Sequence, residues 1–252
     1  MSAPTYLDLG ENRRLAYHKT DARGEMQTRA GVVFLGGFKS DMEGTKALAL
    51  EEWAAQTGRQ FLRFDYRGHG QSSAAFEDGC IGDWASDAME AVGRLTTGPQ
   101  LLIGSSMGGW IACLVARAMP DRVAGLIGIA AAPDFTEDSI WVGMTEAERE
   151  EMAQTGRLAR PSEYSDEPYV FTRKLIEDGR ENLVLRTPLT IRGPVRLLQG
   201  TADEDVDQSV ALRLLAHIES PDTRLTLVKG ADHRFSEDRE IALLIETAEE
   251  LC

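Results

Sequence analysis

No run of about eighteen consecutive apolar residues occurs in the chain, so no helical membrane span is expected. Cysteine is scarce. Cys80, Cys113 and Cys252 form an odd, widely spaced set. That excludes a disulfide framework, reads as free thiols of a reducing compartment, and matches no metal-binding spacing. Basic residues are outnumbered, 27 Lys and Arg against 41 Asp and Glu, for a formal net charge of -14. Nucleic acid is therefore not an expected partner, because binding it draws on a basic surface, and an acidic surface does little to attract anionic membranes. The first residues show no basic stretch followed by an apolar core, so no secretory signal is expected. The default expectation is a cytoplasmic protein, or one of the mitochondrial matrix if a presequence has been removed. Internal repeats and low-complexity tracts are also missing.

What is present supports a packed globule. The 252 residues are 42% hydrophobic, enough for a substantial core. Tyr6–Leu9 and Leu15–His18 alternate around a Gly10-Glu11-Asn12 turn and read as a hairpin with a solvent face, His18 lying at the surface or an edge. Continuous apolar runs then recur at Gly31–Leu35, Gln60–Asp65, Leu101–Ile103, Val123–Ala131, Val195–Leu198 and Leu225–Val228. Such runs suit strands buried on both faces of a sheet. Amphipathic helical stretches separate them, and β-α-β alternation argues for a parallel sheet with helices on both faces. From about Phe135 to Pro188 the pattern lapses into charged helical segments broken by prolines. The expectation is a single domain over 1–252, with an insertion of short helices at about 135–190.

Chemistry gathers at the ends of the strands. Gly104-Ser105-Ser106-Met107-Gly108 follows an apolar run and precedes an amphipathic one. This G-x-S-x-G spacing fits a sharp strand-to-helix turn that lifts a serine hydroxyl above the sheet edge. Asp203 follows the strand ending near Gly200, and His233 follows the strand ending near Val228. Loops after parallel strands open on one edge of the sheet, so these three side chains are expected together. A serine hydroxyl is a weak nucleophile. His233 would take its proton and return it to the leaving group, and Asp203 would orient the imidazole. Backbone N–H groups of Met107 and Phe38 would hold the oxyanion, Phe38 because it follows Gly36-Gly37 at the end of an earlier strand.

Rivals exist for each role. Glu204, Asp205 and Asp207 are acidic neighbours of Asp203 but read as solvated. Asp232 adjoins His233 and suits a local turn hydrogen bond. His69, between Gly68 and Gly70, reads as structural. His217 reads as a surface residue, Ser105 as packed beneath the turn, and Cys113 as core. Trp141, Met144, Tyr164, Tyr169 and Phe171 either line a pocket under the insertion or form the insertion's own core.

Gly36-Gly37-Phe38, Phe64-Asp65-Tyr66-Arg67-Gly68-His69-Gly70-Gln71-Ser72, Gly104-x-Ser106-x-Gly108, Gly200-x-x-Asp203 and Asp232-His233 resemble the landmarks of the αβ-hydrolase superfamily. Phe38 to Ala49, Gly104 to Trp110 and Pro161 to Ser165 are further similar to its branch that cleaves palmitoyl thioesters and acyl glucuronides. The resemblance implies a mostly parallel eight-stranded sheet, a small helical cap, Ser106, His233 and Asp203 as nucleophile, base and acid, and hydrolysis of acyl esters or thioesters. No cofactor and no metal are expected, and the expected partner is a small-molecule ester or an acylated protein. A peptidase of proline-iminopeptidase type stays open; Glu163, Asp166 and Glu167 would then hold the substrate amine. A non-catalytic ligand receptor on the same fold also stays open, as does a haloperoxidase-like side activity.

Overall fold

The computed structural model describes residues 3–161 and 168–252. The chain opens with the antiparallel pair β1 (Thr5–Gly10) and β2 (Arg13–Thr20). Gly10, Glu11 and Asn12 turn it with φ of 76°, 52° and 61°, left-handed values that Gly and Asn tolerate best. Then come β3 (Gly31–Leu35), α1 (Thr45–Thr57), β4 (Phe61–Phe64), α2 (Ile81–Leu95), β5 (Gln100–Ser105), α3 (Met107–Ala118) and β6 (Val123–Ile129). The segment after β6 carries a π-helical stretch at Thr136–Trp141, α4 (Glu146–Thr155), β7 (Arg157–Arg160), β8 (Tyr169–Thr172), α5 (Arg173–Glu181) and β9 (Leu189–Thr190). The chain finishes with β10 (Val195–Gly200), α6 (Gln208–His217), β11 (Ile218–Glu219), β12 (Thr223–Val228) and α7 (Asp238–Leu251).

Eight strands form one sheet in the order β1-β2-β4-β3-β5-β6-β10-β12. The first two pairings are antiparallel and the remaining five are parallel. Side chains on a strand alternate between faces, so each central strand feeds two cores. Val33, Leu102, Leu126 and Leu197 meet Trp84, Val92, Ile111 and Val115 of α2 and α3. Val32, Leu101, Ile103, Ile127 and Leu198 meet Leu50 and Trp53 of α1 and Leu244 and Ala248 of α7. Each such fully buried aliphatic side chain contributes about 1.5–3 kcal/mol. This double burial explains why these strands read as unbroken apolar runs.

The segment between β6 and β10 is the cap; it holds the expected short helices and, beyond them, a strand pair. β7 and β8 form an antiparallel hairpin in which Leu158 and Phe171 pair and point inward. Only one residue of each four-residue strand is buried, too little alternation to show in the sequence. The helix after β8 begins at Arg173, where the Thr172 side chain caps it by accepting from Leu175 N–H at 3.1 Å. Buried Asp134 ties the two ends of the cap together. Its carboxylate accepts from the N–H groups of Val184 (2.8 Å) and Leu185 (3.0 Å) and from Arg186 (3.1 Å).

His18 also departs from expectation. β2 pairs with β1 on one side and β4 on the other, so His18 is no edge residue. Its side chain is only 11% exposed and lies 3.6 Å from Glu43.

Candidate active site

The turn after β5 is unusual at Ser106, whose φ and ψ are 53° and -119°. A non-glycine residue there stores strain, of order 1–3 kcal/mol. Its surroundings hold it. Ser106 N–H donates to the Ile129 carbonyl at 2.9 Å, and its own carbonyl accepts from Gly109 and Ala132. Gly104 and Gly108 are required by space: a Cβ on Gly104 would lie 2.3 Å from the Gly108 oxygen, and one on Gly108 2.0 Å from the Leu35 oxygen.

The three expected side chains converge. Ser106 Oγ lies 3.1 Å from His233 Nε2. His233 Nδ1 lies 3.0 and 3.1 Å from the two Asp203 oxygens. The Asp203 side chain is fully buried and the His233 ring is 17% exposed. Asp203 also accepts from the N–H groups of Asp205 (3.0 Å) and Val206 (2.8 Å) and from the Gln199 amide (2.8 Å). Burial alone would raise its carboxyl. The hydrogen bond and charge of His233, with Val206 and Gln199, hold it below the usual carboxylate range. The acid is therefore ionised beside the imidazole at neutral pH.

Phe38 and Met107 flank the serine. Gly37 passes close enough that a Cβ there would sit 3.5 Å from Ser106 Cβ. Neither the Phe38 nor the Met107 N–H donates to an acceptor among the described residues.

The rivals fall elsewhere. Asp207 caps α6, accepting from Ser209 N–H. Asp232 accepts from Phe235 N–H, the local bond expected of it. Glu204 and Asp205 are exposed residues that line the cavity beside Ser106 and His233. Buried Ser105 ends β5, and Cys113 lies inside α3, its thiol pushed up to about 12 by burial. His217 is less exposed than expected, because its Nε2 faces the Val184 and Thr187 carbonyls at 2.9 and 2.8 Å.

A cavity of about 810 Å³ opens above Ser106 and His233. Phe38, Phe135, Ile140, Tyr169, Phe171 and Leu185 provide its apolar wall. Tyr169 and Phe171 thus line the pocket. Met144 is buried in the core, and Trp141 lies beneath Arg149 and Arg180. Tyr164, Glu163, Asp166 and Glu167 lie outside the described residues. Among the described residues, one group has metal-ligand spacing: Asp203, Asp205 and His233, with ligand atoms within 4.8 Å. Asp203 is already engaged by His233 and by three further donors.

Two side chains of the site were not foreseen. Gln199 orients Asp203; its signal was a lone amide in an apolar strand. Lys46 lines the cavity and donates to the carbonyl of Arg234, the residue after His233. Burial pushes its ammonium down to about 8. Nothing in its helical sequence setting marked it.

A family model described as serine aminopeptidase, S33, matches residues 26–175. The mitochondrial palmitoyl-protein thioesterase ABHD10 of Mus musculus is 35% identical over 248 residues, covering 98% of this chain and 82% of that relative. The mouse α/β hydrolase domain-containing protein 10 structure superposes with a TM-score of 0.89 at 33% identity, covering 99% of this chain and 98% of that one. The chain belongs to the α/β-hydrolase family. A putative hydrolase from Agrobacterium vitis S4 is similar to this α/β hydrolase too, with a TM-score of 0.93 at 38% identity, covering 98% of this chain and 97% of that one. These relatives match the α/β hydrolase across the cap as well as the sheet.

Proposed function

We propose that this chain is a single-domain serine hydrolase that cleaves carboxylic esters or thioesters through an acyl-enzyme on Ser106. The hydrogen-bonded run Ser106–His233–Asp203 carries the reading. His233 removes the Ser106 proton as Oγ attacks the acyl carbonyl. The N–H groups of Phe38 and Met107 receive the oxyanion. His233 then protonates the departing alcohol or thiol. Water, deprotonated by the same imidazole, releases the acid. Asp203 stays ionised throughout and holds the imidazole in the tautomer with hydrogen on Nδ1.

The apolar wall of the cavity suits the acyl group, and the name of the full-length relatives, palmitoyl-protein thioesterase, supports a long acyl chain on a thioester. Their mitochondrial designation supports the matrix as the compartment. The family model's description favours a second reading, cleavage of amino-terminal residues.

Initial rates with a p-nitrophenyl acyl ester, an acyl thioester and an amino-acyl amide separate the two. Ester or thioester turnover that disappears in Ser106→Ala is expected. Turnover of the amide alone would favour the peptidase, and wild-type rates in Ser106→Ala would remove the mechanism.

A further inference from the structure

One buried imidazole has no part in the reaction just described. His69 is 3% exposed, in the loop between β4 and α2. The rings of Tyr66, Phe76 and Trp84 surround it at 5.1–5.5 Å. Its Nδ1 lies 3.2 Å from the Arg67 carbonyl, which forces a hydrogen onto Nδ1. Nε2 is then bare, and it accepts from Lys39 N–H at 3.2 Å. Burial lowers the ring to about 4, so this lone pair persists at neutral pH.

The bond falls beside the oxyanion donor. Phe38 N–H belongs to the Gly37–Phe38 peptide, whose carbonyl accepts from the Ser40 N–H and hydroxyl at 3.3 and 2.8 Å. The next peptide presents the Lys39 N–H. Lys39 has φ of 56°, a left-handed state that a lysine adopts at a cost. Further along, Asp65 accepts from Met42 N–H at 2.7 Å. The loop is thus pinned from the β4 side by His69 at Lys39, by Asp65 at Met42 and by Arg63 at Met42 and Glu43, and the contact next to Phe38 is that of His69.

We propose that His69 is a positioning residue for the oxyanion hole, aiming the Phe38 N–H by accepting from Lys39. The inference rests on the serine mechanism proposed above. His69 touches no reacting atom. It supplies an acceptor in place of water and prevents the Phe38–Lys39 peptide from rotating.

Two substitutions divide the ring from its lone pair. His69→Phe keeps an aromatic ring among its neighbours and removes the acceptor. His69→Gln loses the ring and keeps an acceptor oxygen near the Nε2 position. Positioning requires kcat to fall about tenfold to a hundredfold in His69→Phe with KM little changed, since deleting a whole oxyanion donor costs about a hundredfold to a thousandfold. His69→Gln should stay well above His69→Phe in kcat although it melts lower. Affinity for a trifluoromethyl-ketone analogue should fall with kcat, while affinity for the product acid holds. His69→Leu provides a second acceptor-free variant should the Phe variant not fold. A merely structural ring gives the reverse order, His69→Phe near wild type and His69→Gln impaired, and that order overturns the inference. Ser106→Ala, assayed alongside, separates the two levels. Retained activity there overturns the serine mechanism and this inference with it. Loss there, together with unimpaired His69→Phe, overturns this inference alone.

Discussion

Gly108→Ala tests whether the elbow and the oxyanion loop are one packed unit. The added Cβ would lie 2.0 Å from the Leu35 oxygen, 2.6 Å from its carbon and 2.7 Å from the Gly36 oxygen. An ordinary C···O contact is about 3.3 Å, so α3 and the end of β3 must part by roughly an ångström or more. All three obstacles are backbone, and no side chain can rotate away. Overpacking of this kind costs typically about 1–3 kcal/mol, and rigid obstacles argue for the upper end. For a chain of this size about 3 kcal/mol lowers Tm by about 6–12 °C. The strain falls where Met107 N–H begins α3 and where β3 leads into Phe38, so both donors are displaced. A misplacement of about 1 Å costs on the order of a hundredfold in rate. Circular-dichroism melts and p-nitrophenyl ester kinetics measure both effects. Gly93→Ala in α2 is the control: the nearest atom to its Cβ is at 4.0 Å, so it should stabilise by about 0.5–1 kcal/mol. A Gly108→Ala protein that melts and turns over like wild type would refute the packing argument.

Asp203→Asn should lower kcat by about 10⁴, because an amide stabilises the wrong imidazole tautomer; a loss under tenfold in steady-state kinetics would assign the acid role elsewhere. Stability should fall on acidification through His69. Its pKa drops from the ordinary 6.5 to about 4 in the fold, so the unfolded chain takes the proton first. The stabilisation is complete above pH 6.5 and is lost as pH falls through about 4, about 3 kcal/mol in all. Urea unfolding of wild type and His69→Gln at pH 7 and pH 4 should show this pH dependence in the difference between them; parallel pH dependences would deny a neutral buried imidazole.

Much of this molecule is legible without coordinates, for a physical reason. Strands such as β3, β5 and β10 are covered on both faces and read as apolar runs, so the residues just beyond them can be placed on one sheet edge. Ser106 and Asp203 stand at such positions, whereas His233 follows β12, an edge strand with no buried residue, so the expected burial of Leu225–Val228 on both faces does not hold. Legibility ends where partners are distant in sequence and weakly patterned. The β7–β8 hairpin buries one side chain per strand. Gln199 and Lys46 acquire roles only because the Asp203 and Arg234 loops fold over them. His69 meets Lys39 across thirty residues, and its GHG setting shows a tight loop without showing what the ring holds. Arg63, in an otherwise apolar strand, is buried by pairing with Glu43 and Glu51.

The most direct measurement is the mass of the enzyme during turnover. Wild-type protein mixed with an acyl thioester and quenched in acid should carry the acyl mass, and peptide mapping should place it on Ser106. In Ser106→Ala the adduct should vanish together with turnover. Hydrolysis by the wild type with no adduct under burst conditions, or an adduct on another residue, would contradict the acyl-enzyme mechanism.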